Sequence, residues 1–283
     1  MQIQHFFDPR TWTLTYLVSD EVSRSAILID SVHDFDARAV RFSDESAQAV
    51  AKVIDEQGLE LTHVLDTHVH ADHCTAMPFF KERYGARTVI SANVRVVQET
   101  FAKYFDDDEL VLDGSQFDQL VEDGETFTAG AFEIEAIPTH GHTPASLSFR
   151  IGDAVFCGDV LFQPDSGTAR CDFPGGSAKE EWDGIQRLYA LPGSTLIHTG
   201  HDYQPGGREL QFRATVDEHR KGNVHCDANT TKEQFVARRA ELDAGKPLPA
   251  LIYQGLQVNM RAGHLPPASK NGIVYLKMPV ALL

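Results

Sequence analysis

Apolar and polar positions alternate with period two over Thr11-Trp-Thr-Leu-Thr-Tyr-Leu-Val, and Ser25-Ala-Ile-Leu-Ile-Asp follows as a short apolar run, which predicts two early strands. Ala47, Val50 and Ile54 then recur at helical spacing, with Ser43 as the expected cap and Gly58 as the stop. His63-Val-Leu-Asp reads as a brief strand running into a polar cluster. A helix is expected near Ala76 to Tyr84, a strand at Thr88-Val-Ile-Ser, and a solvated acidic loop from Asp106 to Asp113. Phe132-Glu-Ile-Glu-Ala-Ile, Ser146-Leu-Ser-Phe-Arg and Ala154-Val-Phe-Cys are three strand candidates joined by Gly-containing turns. A helix near Lys179 to Leu191 and a strand Thr195-Leu-Ile-His-Thr continue the alternation. From Glu209 onward the pattern turns helical, with few strand signals until the last residues. Two groups of strands, each followed by helix, predict an α/β fold of packed sheets with helices outside. The expected organisation is a main domain over residues 1–208 and a helical C-terminal extension over 209–283 packed on it.

Composition narrows the classes of partner. The 283 residues carry 41 acidic against 25 basic side chains, a net charge of −16, which argues against nucleic acid or an anionic membrane as a partner. It does not forbid an anionic substrate, because local arginine placement outweighs net charge inside a cleft. No apolar run of about 18 residues occurs, so no membrane span is expected. Met1 to Pro9 lacks a basic segment followed by an apolar one, so no secretion signal is expected. Cysteines stand at 74, 157, 171 and 226 with no Cys-x-x-Cys pair, which fits a reducing, cytoplasmic setting. Cys157 lies in an apolar run and reads as a core residue.

Chemistry concentrates in the histidines. His68, His70, Asp72 and His73 cluster at the end of an apolar strand. Alternation along an extended segment turns His68 and His70 to one side, so two imidazoles can meet one ion. Asp72 and His73 can reach from the start of the helix beyond. His142, Asp159 and His201 each also follow an apolar run, each with glycine adjacent. Imidazole and carboxylate together suit zinc, iron or manganese rather than calcium.

On these residues the chain resembles the metallo-β-lactamase fold superfamily: His68-x-His70-x-Asp72-His73, then His142, Asp159 and His201 in order. The resemblance implies a four-layer αββα sandwich with the metal site at the edge between the sheets. Gly158-Asp-Val-Leu-Phe, Gly167-Thr-Ala-Arg-Cys-Asp-Phe, Gly200-His-Asp-Tyr, Thr215-Val-Asp-Glu-His-Arg and the stretch from Gln257 to Pro267 look like the persulfide dioxygenase branch, in its longer bacterial form.

What that branch implies is specific. One ferrous iron, Fe(II), would be bound by His68, His142 and Asp159, and glutathione persulfide would be oxidised by O2 to sulfite with release of glutathione. Arg170, Tyr203 and Arg220 align with glutathione-contacting positions. Arg170 is the expected carboxylate anchor, since a guanidinium fork fits a carboxylate in bidentate fashion. His70, Asp72, His73 and His201 would then orient ligands and waters around the iron. The alternative is a binuclear zinc thioester hydrolase resembling glyoxalase II. There His68, His70 and His142 would bind one zinc, Asp72, His73 and His201 the other, with Asp159 bridging. His140 could serve either as a neighbour of the site or as surface. Trp12 and Trp182 are expected to pack, Gly206-Gly207 to form a turn, and a homodimer is the base-rate expectation.

Overall fold

Leu14, Tyr16 and Val18 leave the strand Thr13–Ser19 on one face and Leu17 on the other, and both faces are buried. Ile27 and Ile29 separate from Ala26 and Leu28 in the same way on Ser25–Ile29. A sheet buried on both faces needs a layer on each side, and the computed structural model, which describes residues 1–280, supplies them. Positions 281–283, the end of the expected extension 209–283, lie outside the described residues.

The first sheet has six strands in the order Gln2–Asp8, Thr13–Ser19, Ser25–Ile29, Glu60–Leu65, Arg87–Ser91 and Gln119–Val121. Its first three are antiparallel neighbours and its last three run parallel to Ser25–Ile29. The second sheet runs Thr126–Ala129, Phe132–Pro138, Leu147–Ile151, Ala154–Phe156, Leu196–His198 and Arg213–Thr215. Tyr16, Ile27 and Leu65 from one sheet meet Ile134, Phe149 and Phe156 from the other, forming the central core. The helices are α1 (Glu45–Gln57), α2 (Met77–Tyr84), α3 (Val94–Phe105), α4 (Ala178–Tyr189), α5 (Val216–Gly222), α6 (Lys232–Asp243) and α7 (Ile252–Asn259). α1, α2, α3 and α7 cover the first sheet through residues such as Ile54, Phe80, Phe101 and Leu256. α4, α5 and α6 cover the second through Ile185, Val216 and Phe235. The four-layer αββα sandwich is thus the observed fold.

Two local expectations need correction. Ser43 does not cap α1, because it belongs to the strand Arg41–Ser43 and pairs with Asp34. The cap comes from that neighbouring strand instead: Asp34 Oδ2 accepts from the Ser46 amide at 2.8 Å. Gly58 does end α1, in the left-handed conformation. The second correction lies beyond residue 208, where Arg213–Thr215 forms the edge strand of the second sheet rather than helix. Three residues are too few to display a period of two, so nothing in the pattern marked them.

α6 packs on one outer face of the sandwich and α7 on the other. The chain between them, residues 244–251, therefore has to cross the edge of the sandwich where the two sheets meet.

Candidate metal centre

Four strand ends converge at that edge. Glu60–Leu65 runs into the His68 to His73 cluster, Phe132–Pro138 into His142, Ala154–Phe156 into Asp159 and Leu196–His198 into His201. Glycine is obligatory where the turns touch. Gly158 has φ +52° and a Cβ there would sit 2.4 Å from Thr67 Oγ1; one on Gly200 would sit 2.7 Å from Asp159 Oδ1.

His68, His142 and Asp159 present three donor atoms, all within 4.8 Å of one another. Asp159 Oδ2 lies 3.9 Å from His68 Nε2 and 3.7 Å from His142 Nε2. Those gaps are too long for hydrogen bonds, but donors each about 2.0–2.2 Å from a shared ion sit roughly 3–4 Å apart. The far nitrogens are held: His68 Nδ1 is 3.0 Å from Thr67 Oγ1 and His142 Nδ1 donates to the Arg170 carbonyl at 2.7 Å. Burial, with His70 alongside, pushes the His68 pKa well below the ordinary value, so the ring is neutral with a lone pair to offer. His68 Nε2 is buried and has no hydrogen-bond partner, as a metal-facing nitrogen requires.

His70, Asp72 and His73 form a second donor group. His70 Nδ1 and His73 Nε2 are likewise buried without partners, while His70 Nε2 is bound to Asp30 Oδ1 at 3.1 Å. His201 Nε2 closes on Asp72 Oδ2 at 3.0 Å and Asp159 Oδ1 at 3.3 Å. Burial disfavours its charge, but Asp159 and Asp72 outweigh that and raise its pKa to about 10. His201 thus sits between two carboxylates that favour its protonated form.

A cavity of about 480 Å³ opens onto Asp159, His142 and Asp72. Trp12, Phe162, Phe173 and Leu248 give it apolar walls, while Arg10, Arg170 and Lys246 supply cations. Tyr203 lines it too, its ring stacked on His201 with centroids 5.5 Å apart. Arg170 reaches the cavity, but its fork is already engaged, clasping Asp172 at 2.6 and 2.7 Å and donating to the Pro247 carbonyl at 2.6 Å. Arg220 does not reach it. That residue is exposed on α5, on the outer face of the second sheet, and is absent from the cavity wall. His140 turns to Asp123, 2.9 Å away, and Cys171 is buried against Glu181 at 2.6 Å.

Sequence reasoning missed three contributors. Asp30 braces His70 although it, too, ends an apolar run, the same local signal that marked the other site residues. Asn259 of α7 donates to the carbonyls of His70 and His73 at 2.8 Å each and accepts from the Thr75 amide at 2.9 Å. Lys246 stands in a Gly-Lys-Pro-Leu-Pro stretch that carries none of the signals that marked the other site residues.

Known proteins are similar to the chain over most of its length. The metallo-beta-lactamase superfamily model matches residues 13–201. A "Beta-lactamase hydrolase-like protein" of Agrobacterium fabrum is 45% identical over 99% of the chain, which spans only 65% of that relative's length. "Glyoxylase B2" of Dictyostelium discoideum is 39% identical, covering 100% of the chain and 98% of the relative. The mitochondrial persulfide dioxygenase ETHE1 of Bos taurus is 32% identical over 94% of the chain and 91% of its own length. The crystal structure of ETHE1 from Myxococcus xanthus superposes with a TM-score of 0.77 at 32% identity, covering 93% of this chain and 100% of that one. With its αββα layers and its histidine and aspartate cluster at the sheet edge, the chain belongs to the metallo-β-lactamase superfamily.

Proposed function

We propose that the protein is a glutathione-dependent persulfide dioxygenase. Glutathione persulfide, O2 and water would yield glutathione and sulfite, with one ferrous iron held by His68, His142 and Asp159. The observation that carries this reading is the two-histidine, one-carboxylate set whose His142 and Asp159 face the cavity, while Asp72 and His201 close on each other. Such a set leaves open positions at the ion, and iron bound there supplies a seat for an anionic sulfur and the redox chemistry that dioxygen needs. The likeness to the bovine and Myxococcus proteins supports the same branch.

The chain's own residues do the positioning. The Arg170 carbonyl and Thr67 hold the two imidazoles with Nε2 facing inward. Trp12, Phe162 and Phe173 keep water from the reacting sulfur. His201, between Asp72 and Asp159, orients both carboxylates beside the cavity.

A second reading has its own support. His70 Nδ1 and His73 Nε2 are bare as well, and a Dictyostelium relative carries the name of a glyoxylase. His68, His70 and His142 would then hold one zinc, Asp72, His73 and His201 another, with Asp159 facing both, and the pair would supply the chemistry for hydrolysis of a glutathione thioester. Anaerobic purification followed by metal analysis and an oxygen electrode separates the two. About one iron per chain with oxygen uptake on glutathione persulfide is expected; two zincs with thioester hydrolysis and no oxygen uptake would overturn it.

A further inference from the structure

Three cations line the cavity above the metal-binding residues, and two are already committed. Arg10 Nε lies 3.1 Å from Asp8, and its terminal nitrogens reach Asp34 and, at 3.5 Å, Glu45. The Arg170 fork is filled by Asp172 and the Pro247 carbonyl. Lys246 differs. Its ammonium is 3.9 Å from Asp243 Oδ1, beyond hydrogen-bond reach, and Asp243 already serves Arg239 at 2.6 Å and the Cys171 amide at 3.0 Å. Among the described residues, the Lys246 ammonium makes no hydrogen bond. Burial, then the nearby Arg239, holds its pKa below the ordinary lysine value, with Asp243 pulling the other way.

The backbone holds this cation in place. Gly245, at φ +70°, turns the chain out of α6, and the Lys246 amide donates to the Asp243 carbonyl at 3.1 Å. Pro247 and Pro249 stiffen the segment on its C-terminal side, and Arg170 grips the Pro247 carbonyl from across the cavity. A protein of charge −16 with Asp72 and Asp159 on the cavity floor repels an anionic peptide unless a cation with hydrogen-bonding capacity to spare receives it.

We propose that Lys246 receives one carboxylate of glutathione, which makes the crossing segment Gly245–Leu251 the specificity-determining wall of the site. The inference rests on the glutathione part of the proposed function and holds equally for a persulfide or a thioester. Arg170 then acts as the brace of that wall rather than as the anchor itself.

Calorimetric titration of the metal-loaded protein with glutathione tests it. Lys246→Ala should weaken binding roughly five- to twenty-fold, the effect of losing one half-exposed charged hydrogen bond, and Lys246→Arg should recover most of it. Two altered ligands identify the carboxylate: glutathione ethyl ester, which blocks the glycine carboxylate, and 4-aminobutyryl-cysteinyl-glycine, which lacks the glutamyl one. With one of them the wild type should lose affinity while Lys246→Ala loses nothing further, the signature of coupled groups. Additive losses with both ligands, an unchanged dissociation constant for Lys246→Ala, or no glutathione binding by the wild type would each overturn the proposal. Oxygen uptake on the same preparations reports separately on the dioxygenase reading. A wild type that binds glutathione through Lys246 but consumes no oxygen keeps the anchor and discards the dioxygenase.

Discussion

Asp30 and His70 are paired inside the molecule, Oδ1 to Nε2 at 3.1 Å, with both side chains 2% exposed. The same carboxylate accepts from the Thr67 amide at 2.7 Å and from Thr67 Oγ1 at 2.9 Å, and that hydroxyl meets His68 Nδ1 at 3.0 Å. One carboxylate therefore fixes the rings of both His68 and His70. Asp30 adopts φ +52°, a conformation that few residues other than glycine, asparagine and aspartate tolerate. Asp30→Asn keeps the shape but turns an N–H2 toward either the imidazole or the Thr67 donors. Metal affinity should fall about 10- to 100-fold, read by chelator competition, with the far-ultraviolet circular dichroism unchanged. Wild-type affinity in the variant would mean that Asp30 does not hold the metal-binding rings.

The two metal readings part at Asp72 and agree at Asp159. Asp159 faces His68, His142 and His201 together, so Asp159→Ala should strip metal to roughly a tenth or less under either reading. Asp72 touches His201 but lies outside the His68, His142 and Asp159 group. Asp72→Ala should therefore keep one iron per chain in the single-ion reading and lose one of two zincs in the other. Elemental analysis of both variants decides.

Much of the centre was legible in the sequence because its signal is local. An apolar run ending in histidine or aspartate marks His68, His142, Asp159 and His201, the last three with glycine adjacent, without knowledge of the fold. Alternation over stretches such as Thr13–Ser19 marked strands of packed sheets, while the four-layer order rested on the family resemblance. What stayed hidden depends on residues distant in sequence. The Asp30 to His70 bond spans 40 positions, and the Asn259 hold on His70 spans 189. Arg170 was legible as a cavity cation, but that Asp172 and Pro247 fill its fork is a matter of tertiary structure. Arg220 rested on family resemblance alone, and α5 directs it to the outer surface.

Arg170 plays two parts that mutation can separate. Its main-chain carbonyl holds His142, and its side chain ties the 245–251 segment to Asp172. Arg170→Ala preserves the first and deletes the second. Iron content should stay normal while amide hydrogen exchange over residues 245–251 quickens and the KM for glutathione persulfide rises roughly 10-fold. Loss of iron in this variant would mean that the side chain also supports His142.

Glu181 should give the folded protein a pH dependence of its own. The side chain is 0% exposed, Oε2 is 2.6 Å from Cys171 Sγ and Oε1 has no partner. Burial pushes its pKa up to about 8 from the ordinary 4.5, against the opposing pull of Cys171 and Arg239. Below pH 4.5 the carboxyl is protonated in both folded and unfolded chains, and its contribution to stability is complete. Between 4.5 and 8 only the unfolded chain ionises, so stability is lost as pH rises, by at most about 1.4 kcal/mol per pH unit. Above 8 both forms are charged and the loss levels off. Glu181→Gln cannot ionise and should not share this decline. Urea unfolding of the two proteins at matched metal loading should diverge steadily from pH 5 to pH 8 and then run parallel, since the metal contribution cancels in the difference. Curves that stay parallel across the whole range would mean that Glu181 is already ionised in the folded protein, with Arg239 as its counter-charge.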